Sequence, residues 1–281
     1  MKPMHAMQAD TPDKGKLKIQ INSEITSFPI ADASISISYT GVPEQTLELA
    51  APPLEYSLNP TIESQPYSEY TLSVTAPGFE PINISGTEIL PDVTAIQNIT
   101  MRPSTATPQQ EVFVIPAHTL YGTYPPKIAE DEIKPTDETG EIVLSRVVVP
   151  EFIVVHDGSP RDSTAQNYYV KYKDYIKNVA SSEIYATWPE NTIRANVLAI
   201  MSFTLNRVYT EWYRNKGYDF TITSSTAFDH KWIPERNIYD TISVIVDELF
   251  ANYLSRPNVR QPILTQYCDG RQVSCPNWMT I

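Results

Sequence analysis

The sequence predicts an α+β chain of more than one domain, a β-sandwich followed by a mainly helical domain. Three observations predict it. The chain has 281 residues, more than one ordinary small core holds. Apolar residues recur with period two in the first hundred positions and at spacings of three and four beyond about residue 170. The 24 prolines, against 9 glycines, fall mostly before residue 150, where strands and loops accommodate them better than helices.

Residues 1–15 read as a flexible tail. From Lys16 the pattern changes. Leu17, Ile19 and Ile21 alternate with polar residues, as do Ile35, Ile37 and Tyr39. Further runs are Tyr70–Val74 and Ile96–Met101. Alternation bounded by Pro, Gly and Asn predicts half-buried antiparallel strands, and their number predicts a small sandwich over 16–101. Residues 102–110, Arg-Pro-Ser-Thr-Ala-Thr-Pro-Gln-Gln, have the composition of a linker. A second domain is expected over 111–281. It opens with strand-like runs at Val112–Ile115, Ile142–Val149 and Phe152–Val155, with an acidic, Pro-rich loop over 121–140. His156–Pro160 carries a turn signal.

Helices are expected next. A short one is predicted around Lys173–Ser182. Pro189 suits the first turn of a second. Ile193, Val197, Ile200, Thr204, Val208 and Trp212 then mark one apolar face, and Gly217 a stop. A third helix is predicted from about Ile238 to Leu254, ending before Pro257.

The formal net charge is −12. Residues 1–110 hold 5 basic and 12 acidic side chains, and 151–281 hold 13 and 14. The acidity therefore belongs to the N-terminal part, and no basic stripe is present for nucleic acid. No apolar run approaches the ~18 residues of a membrane span, and the first eighteen residues lack the apolar segment of a secretory signal.

Glu183 stands out among the candidate catalytic groups. It lies between two expected helices, in a segment of small residues and rings. A partly desolvated carboxyl there holds its proton more readily, which suits a general acid; a pairing with a nearby Lys or Arg is the structural alternative. Asp229, Glu190 and Asp269 are possible second carboxylates. Eight of the 17 tyrosines fall between 168 and 218. Aromatics at helical spacing serve cores, yet ring faces also stack on sugars. Tyr185 and Trp188 flank Glu183 and are the expected sugar contacts; Trp212 is expected in the core. The loop Ser224–His230, with Ser225 and Asp229, is either a hydrogen-bonding surface or an ordinary turn. Cys268, Cys275 and His230 form a weak zinc pattern, so no metal or other cofactor is expected. Cys268 and Cys275 form either a disulfide or two unrelated thiols.

The segment Ala180-Ser-Ser-Glu-Ile-Tyr-Ala-Thr-Trp-Pro189 resembles the core motif of the SpoIID/LytB family, Val-x-x-Glu-Met-Pro-x-x-Trp-Pro-x-x-Ala-Leu-Lys-Ala-Gln. The chain is similar above all to the family's spore cortex-lytic enzymes, over roughly 150–280. The strings that carry this are 175–181, 202–213, 220–229 and 266–270. Residues 33–37 and 70–79 likewise resemble a carboxypeptidase regulatory-like β-sandwich, a module that binds or positions.

The resemblance implies a SpoIID-like catalytic domain that cleaves the glycan strands of spore-cortex peptidoglycan by lytic transglycosylation during germination, with Glu183 as the acid. It implies peptidoglycan as partner, a location in the spore cortex, coat or cell wall, and a precursor activated by a subtilisin-like protease. Arg194 stands where the family carries a groove-lining Lys. Tyr267 and Asp269, in Gln-Tyr-Cys-Asp-Gly, are further expected substrate contacts. Met201 stands where the family usually carries an Arg, which puts that residue's help to the acid in doubt. Relatives continue past residue 281, so a catalytic domain cut short is expected. Non-catalytic members that bind wall and enhance an amidase suggest a second reading, and a structural coat or wall protein a third.

Overall fold

The computed structural model describes residues 15–40, 42–49, 55–58, 67–105, 107–118, 120, 144–268 and 279–280; of 42–49, 55–58, 268 and 279–280 only the backbone is described. The expected tail up to residue 14, the acidic loop over 121–140 and Asp269 lie outside these residues, as does Cys275; Gly15, the last residue of the expected tail, opens the first strand. The architecture is α+β, with several sheets and three helices and more strands than helices. It divides into two compact units, Met1–Pro116 and Ala117–Ile281.

The first unit holds β1 (Gly15–Ser23), β2 (Ser34–Tyr39), β3 (Val42–Leu49), β4 (Glu55–Leu58), β5 (Ser68–Thr75), β6 (Ile82–Ile89), β7 (Thr94–Met101) and β8 (Glu111–Val114). One sheet runs β3-β2-β5-β6-β8; in another, β1 lies between an antiparallel β4 and a parallel β7. The period-two signal is visible in the burial: Leu17, Ile19 and Ile21 on β1, Ile35 and Ile37 on β2, and Leu72 and Val74 on β5 are all buried. Burial at about 25 cal/mol per Å² of apolar surface holds these faces inward. Strands β3, β4 and β6 carry weaker alternation and were not among the predicted runs.

Gly86 has a positive φ of 89°. The β5–β6 register slips beside it, from Tyr70↔Thr87 to Thr71↔Ser85. A Cβ there would lie 2.1 Å from the Ile115 carbonyl oxygen. Only glycine fits this bulge with the chain after β8 so close.

The domain boundary differs from expectation. Strand β8 pairs in parallel with β6, from Ile82↔Glu111 to Ser85↔Val114. It therefore completes the first unit and does not open the second. The segment 102–110 is anchored and is not a free linker. Buried Glu80 accepts hydrogen bonds from the Thr105 amide (2.7 Å), the Thr105 hydroxyl (3.1 Å) and the Gln109 amide (2.6 Å). One carboxylate thus fastens the return path from β7 to β8.

The second unit contains β9 (Phe152–His156), β10 (Asn167–Lys171), α1 (Tyr172–Glu183), α2 (Glu190–Tyr209), β11 (Ile222–Thr223), β12 (Ile238–Tyr239), α3 (Asp240–Leu249), β13 (Tyr267–Cys268) and β14 (Met279–Thr280). The order in its main sheet is β10-β9-β11, antiparallel then parallel. Three helices with long irregular stretches between them make this unit less helical than expected. No described residue of 144–149 belongs to a strand.

Helix α2 follows Pro189, whose carbonyl accepts from the Thr192 and Ile193 amides. Proline's fixed φ, here −54°, suits that position. Ile193, Val197 and Ile200 are buried as the spacing predicts, and Met201 is core with no exposure. The helix stops at Tyr209, before Trp212. Gly217, at φ 84°, instead closes a short 3-10 turn, Arg214–Lys216. Helix α3 ends at Leu249, five residues short of expectation.

The Thr105 amide, first among its contacts, holds the Glu80 carboxyl below the usual carboxylate range. A lowered folded-state pKa means stability that is full above the unfolded value and lost as pH falls through the folded one. Glu80→Gln is therefore expected to lower the melting temperature of the first unit at pH 7. The wild-type advantage should shrink on acid titration below the ordinary carboxylate range, as followed by far-ultraviolet circular dichroism.

Candidate functional site

Helix α1 presents Tyr175 and Asn178 to the segment 229–237. The two are three positions apart, hence on one helical face. Asn178 clamps Ile233: its amide donates to the Ile233 carbonyl (2.7 Å) and its oxygen accepts from the Ile233 amide (3.1 Å). The Arg236 guanidinium donates to the Ser181 carbonyl at 2.9 Å, supplying a cation to the carbonyl end of the helix. The Tyr175 hydroxyl and His230 Nδ1 are 3.2 Å apart.

Glu183 is the last residue of α1 and is half-buried. Its Oε1 accepts the Lys231 amide at 2.7 Å. The expected carboxyl is thus fixed by backbone at the end of a helix whose other contacts fix that same backbone. In its acid form, a carboxyl accepting at Oε1 carries its proton on Oε2. Tyr175 is buried, and its phenol is pushed well above the usual range, first by burial and then by the charges of Asp229 and Glu183. Both carboxylates therefore act on the same buried ring. His230 is buried against Phe203, with ring centroids 4.5 Å apart, and stacks at 15° with Tyr267.

Asp229 has a different role from the expected sugar contact. It is fully buried, and its two oxygens accept four hydrogen bonds. These come from Arg207 Nε (2.8 Å), the Tyr213 hydroxyl (2.6 Å), and the Thr223 amide (2.9 Å) and hydroxyl (2.7 Å). A carboxylate so occupied and so deep does not meet a substrate. It ties α2, the turn after it, β11 and the 224–231 loop together. Burial, then the nearby Asp229 charge, raises the Tyr213 phenol as well.

The remaining expected contacts are distributed. Trp188 and Arg194 line one cavity of about 390 Å³ with Ala186, Ile193 and Val244. Arg194 Nε donates to Glu190 at 2.8 Å, and its Nη2 pairs with Glu248. It therefore bridges α2 to α3, and Glu190 is an ion-pair partner on the surface. Tyr185 packs its ring on His118 at 4.4 Å and meets Trp188 edge-on at 6.3 Å. The Ser225 carbonyl accepts the Phe228 and Asp229 amides, making a turn, while Ser224 donates to Asp157 at 2.8 Å. Tyr267 is buried beside His230. Among the described residues no cluster of three or more His, Cys, Asp or Glu side chains is placed to hold a metal ion.

Sequence reasoning missed Arg207. Arg207 is buried (3% exposed), an unusual location for a guanidinium. Trp212 is half-buried and packs against the buried cluster of Val154, Tyr213 and Phe220, at the edge of the core. The Arg207 guanidinium carbon lies 4.8 Å from its ring centre and Lys216 Nζ 3.2 Å. A cation in the last turns of α2, 22 residues before Asp229, was the available signal, but spacing alone pairs no such residues.

No family model matches this chain, and no curated protein does. Among solved structures it is similar to a protein from Bacteroides fragilis whose name calls it membrane-associated and of unknown function. The identity is 14%, the TM-score 0.23, and the match covers 67% of this chain and 50% of that one. This chain thus spans about half the length of that protein, and a likeness of this degree carries no functional argument. No described helix is long and apolar enough to cross a membrane.

The buried pair generates one expectation. Removing either partner strands the other charge, at a cost of about 3–5 kcal/mol. Asp229→Asn and Arg207→Met should each lower the denaturant midpoint by a comparable amount. The double variant should cost less than the sum. Arg194→Gln, by contrast, removes solvent-screened surface pairs and should leave the denaturant midpoint nearly unchanged, so a clear loss of any activity would assign Arg194 to the site.

Proposed function

We propose that the chain cuts peptidoglycan glycan strands, those of the spore cortex in particular, by lytic transglycosylation. Glu183 is the acid. The observation that carries this reading is a half-buried Glu183 carboxyl pinned at one oxygen by the Lys231 amide. The neighbouring loop's Asp229 is meanwhile locked into a buried ion pair. Hydrolysis with two carboxylates needs a second acid free to activate water or to attack carbon. Lytic cleavage needs one.

In this chemistry Glu183 donates its Oε2 proton to the glycosidic oxygen, and the C1–O bond breaks. The C6 hydroxyl of the same muramic residue closes on C1 and returns its proton to Glu183. No water enters, and a 1,6-anhydro end forms. The resemblance of 180–189 to the SpoIID/LytB motif supports the substrate class, as does the placing of Tyr185 and Trp188 immediately after the acid. On the same resemblance the chain is made as a precursor that a subtilisin-like protease activates.

One observation favours a second reading, a wall-binding protein that enhances an amidase. Met201 is buried in the core and brings no cation to Glu183, and Arg194 is engaged by Glu190 and Glu248.

Digestion of purified cortex sacculi separates the two. Full-length chain, a protease-trimmed form and Glu183→Gln are compared by mass spectrometry of the released muropeptides. Anhydro-ended products are expected from active protein and should fall at least about a hundredfold in Glu183→Gln, the scale of a lost general acid. Sacculus binding without products, unchanged in Glu183→Gln, would instead establish the wall-binding reading.

A further inference from the structure

A second cavity, of about 440 Å³, opens where the end of α2, the turn over 212–218 and the loops over 159–161 and 227–228 meet. Arg161, Arg207 and Lys216 line it, with Trp212, Tyr218 and Phe228 among its walls. Among the described residues no Asp or Glu lines it. Asp229 matches the charge of Arg207 from behind, so the two exposed cations, Arg161 and Lys216, set the sign of the cavity and favour an anion.

The decisive group is Arg207. Its side chain is 3% exposed. Nε is taken by Asp229 at 2.8 Å, and Nη2 donates to the Phe228 carbonyl at 3.2 Å. Nη1 is buried and finds no hydrogen-bond acceptor in the structure. Its surroundings are rings, with the guanidinium carbon 4.8 Å from both the Phe203 and Trp212 centres. Asp229 fixes the guanidinium from behind, so the unused nitrogen is held in place before any ligand arrives. An N–H group kept dry and unmet is costly, and an acceptor delivered by a ligand would remove that cost.

We infer that this cavity is a binding site for a small organic carboxylate carrying a ring or other apolar body. The carboxylate meets Arg207 Nη1, Arg161 and Lys216 stand at the rim, and the body packs on Trp212 and Tyr218. One guanidinium nitrogen suits a monoanion better than a phosphate dianion, which takes several fixed donors. The volume is that of small-molecule sites. The inference does not depend on Glu183 or on glycan cleavage.

The test is a titration of the full-length chain followed by the indole N–H signal of Trp212 in ¹H–¹⁵N spectra, assigned with Trp212→Phe. Benzoate and N-acetylmuramate are the carboxylate probes. Benzamide and N-acetylglucosamine are their uncharged counterparts, and inorganic phosphate is the third arm. Saturable shifts are expected for at least one carboxylate, with its uncharged counterpart at least about tenfold weaker, the scale of a charge-assisted hydrogen bond. Arg161→Gln and Lys216→Met alter exposed residues and leave the fold intact; each should weaken the carboxylate about threefold or more, as partial loss of rim charge does. The inference is overturned if neither carboxylate shifts the signal. It also fails if the uncharged probes bind equally well, or if phosphate binds more tightly than both carboxylates.

Discussion

The second unit is organised around one buried ion pair. Arg207 comes from the last turns of α2 and Asp229 from the loop after β11, 22 positions later. Burying both charges is expensive, and their attraction offsets the cost only when the remaining hydrogen-bonding capacity is filled. Asp229 meets that condition, with Tyr213 and two groups of Thr223 completing its acceptors. Arg207 meets it only in part, through Phe228 and the surrounding rings. The pair therefore fixes the geometry of α2, β11 and the 224–231 loop more than it adds to stability.

That loop carries the consequence to the end of α1. Two residues beyond Asp229, the Lys231 amide holds Glu183. Asn178 and Arg236 hold the following residues against the same helix end. A catalytic acid needs its proton at one place, and a carboxyl gripped by backbone is better defined than one gripped by a mobile side chain. The small residues before Glu183 have a physical use here. Ala180, Ser181 and Ser182 are all buried, and bulkier side chains would separate α1 from the segment 229–237.

Glu80 plays a comparable part in the first unit. A single buried carboxylate collects two amides and a hydroxyl from a stretch with no regular structure of its own. Polar groups of a loop must be satisfied as fully as those of a strand when they lie against a core. Composition alone describes such a stretch as a linker, because Pro, Ser, Thr and Gln occur in linkers and in anchored loops alike.

The sequence by itself determined the elements whose side chains face one environment per position. Period two marked β1, β2, β5 and β7, because each presents one buried face. Period three and four marked α2, and Pro189 marked its start through its fixed φ. Glu183 was legible for a local reason: it ends a helix just before a Trp-Pro turn. Only the tertiary structure decided what depends on residues distant in sequence. It joined β8 to β6, turned Asp229 from an expected surface contact into a buried anchor, and set Trp212 at the edge of the core against Arg207 and Lys216. It also drew Trp188 and Arg194 to a cavity that Glu183 does not line. Periodicity records which side of an element is buried, whereas a pairing such as Arg207 with Asp229 depends on where two chain segments meet, and no local spacing encodes that.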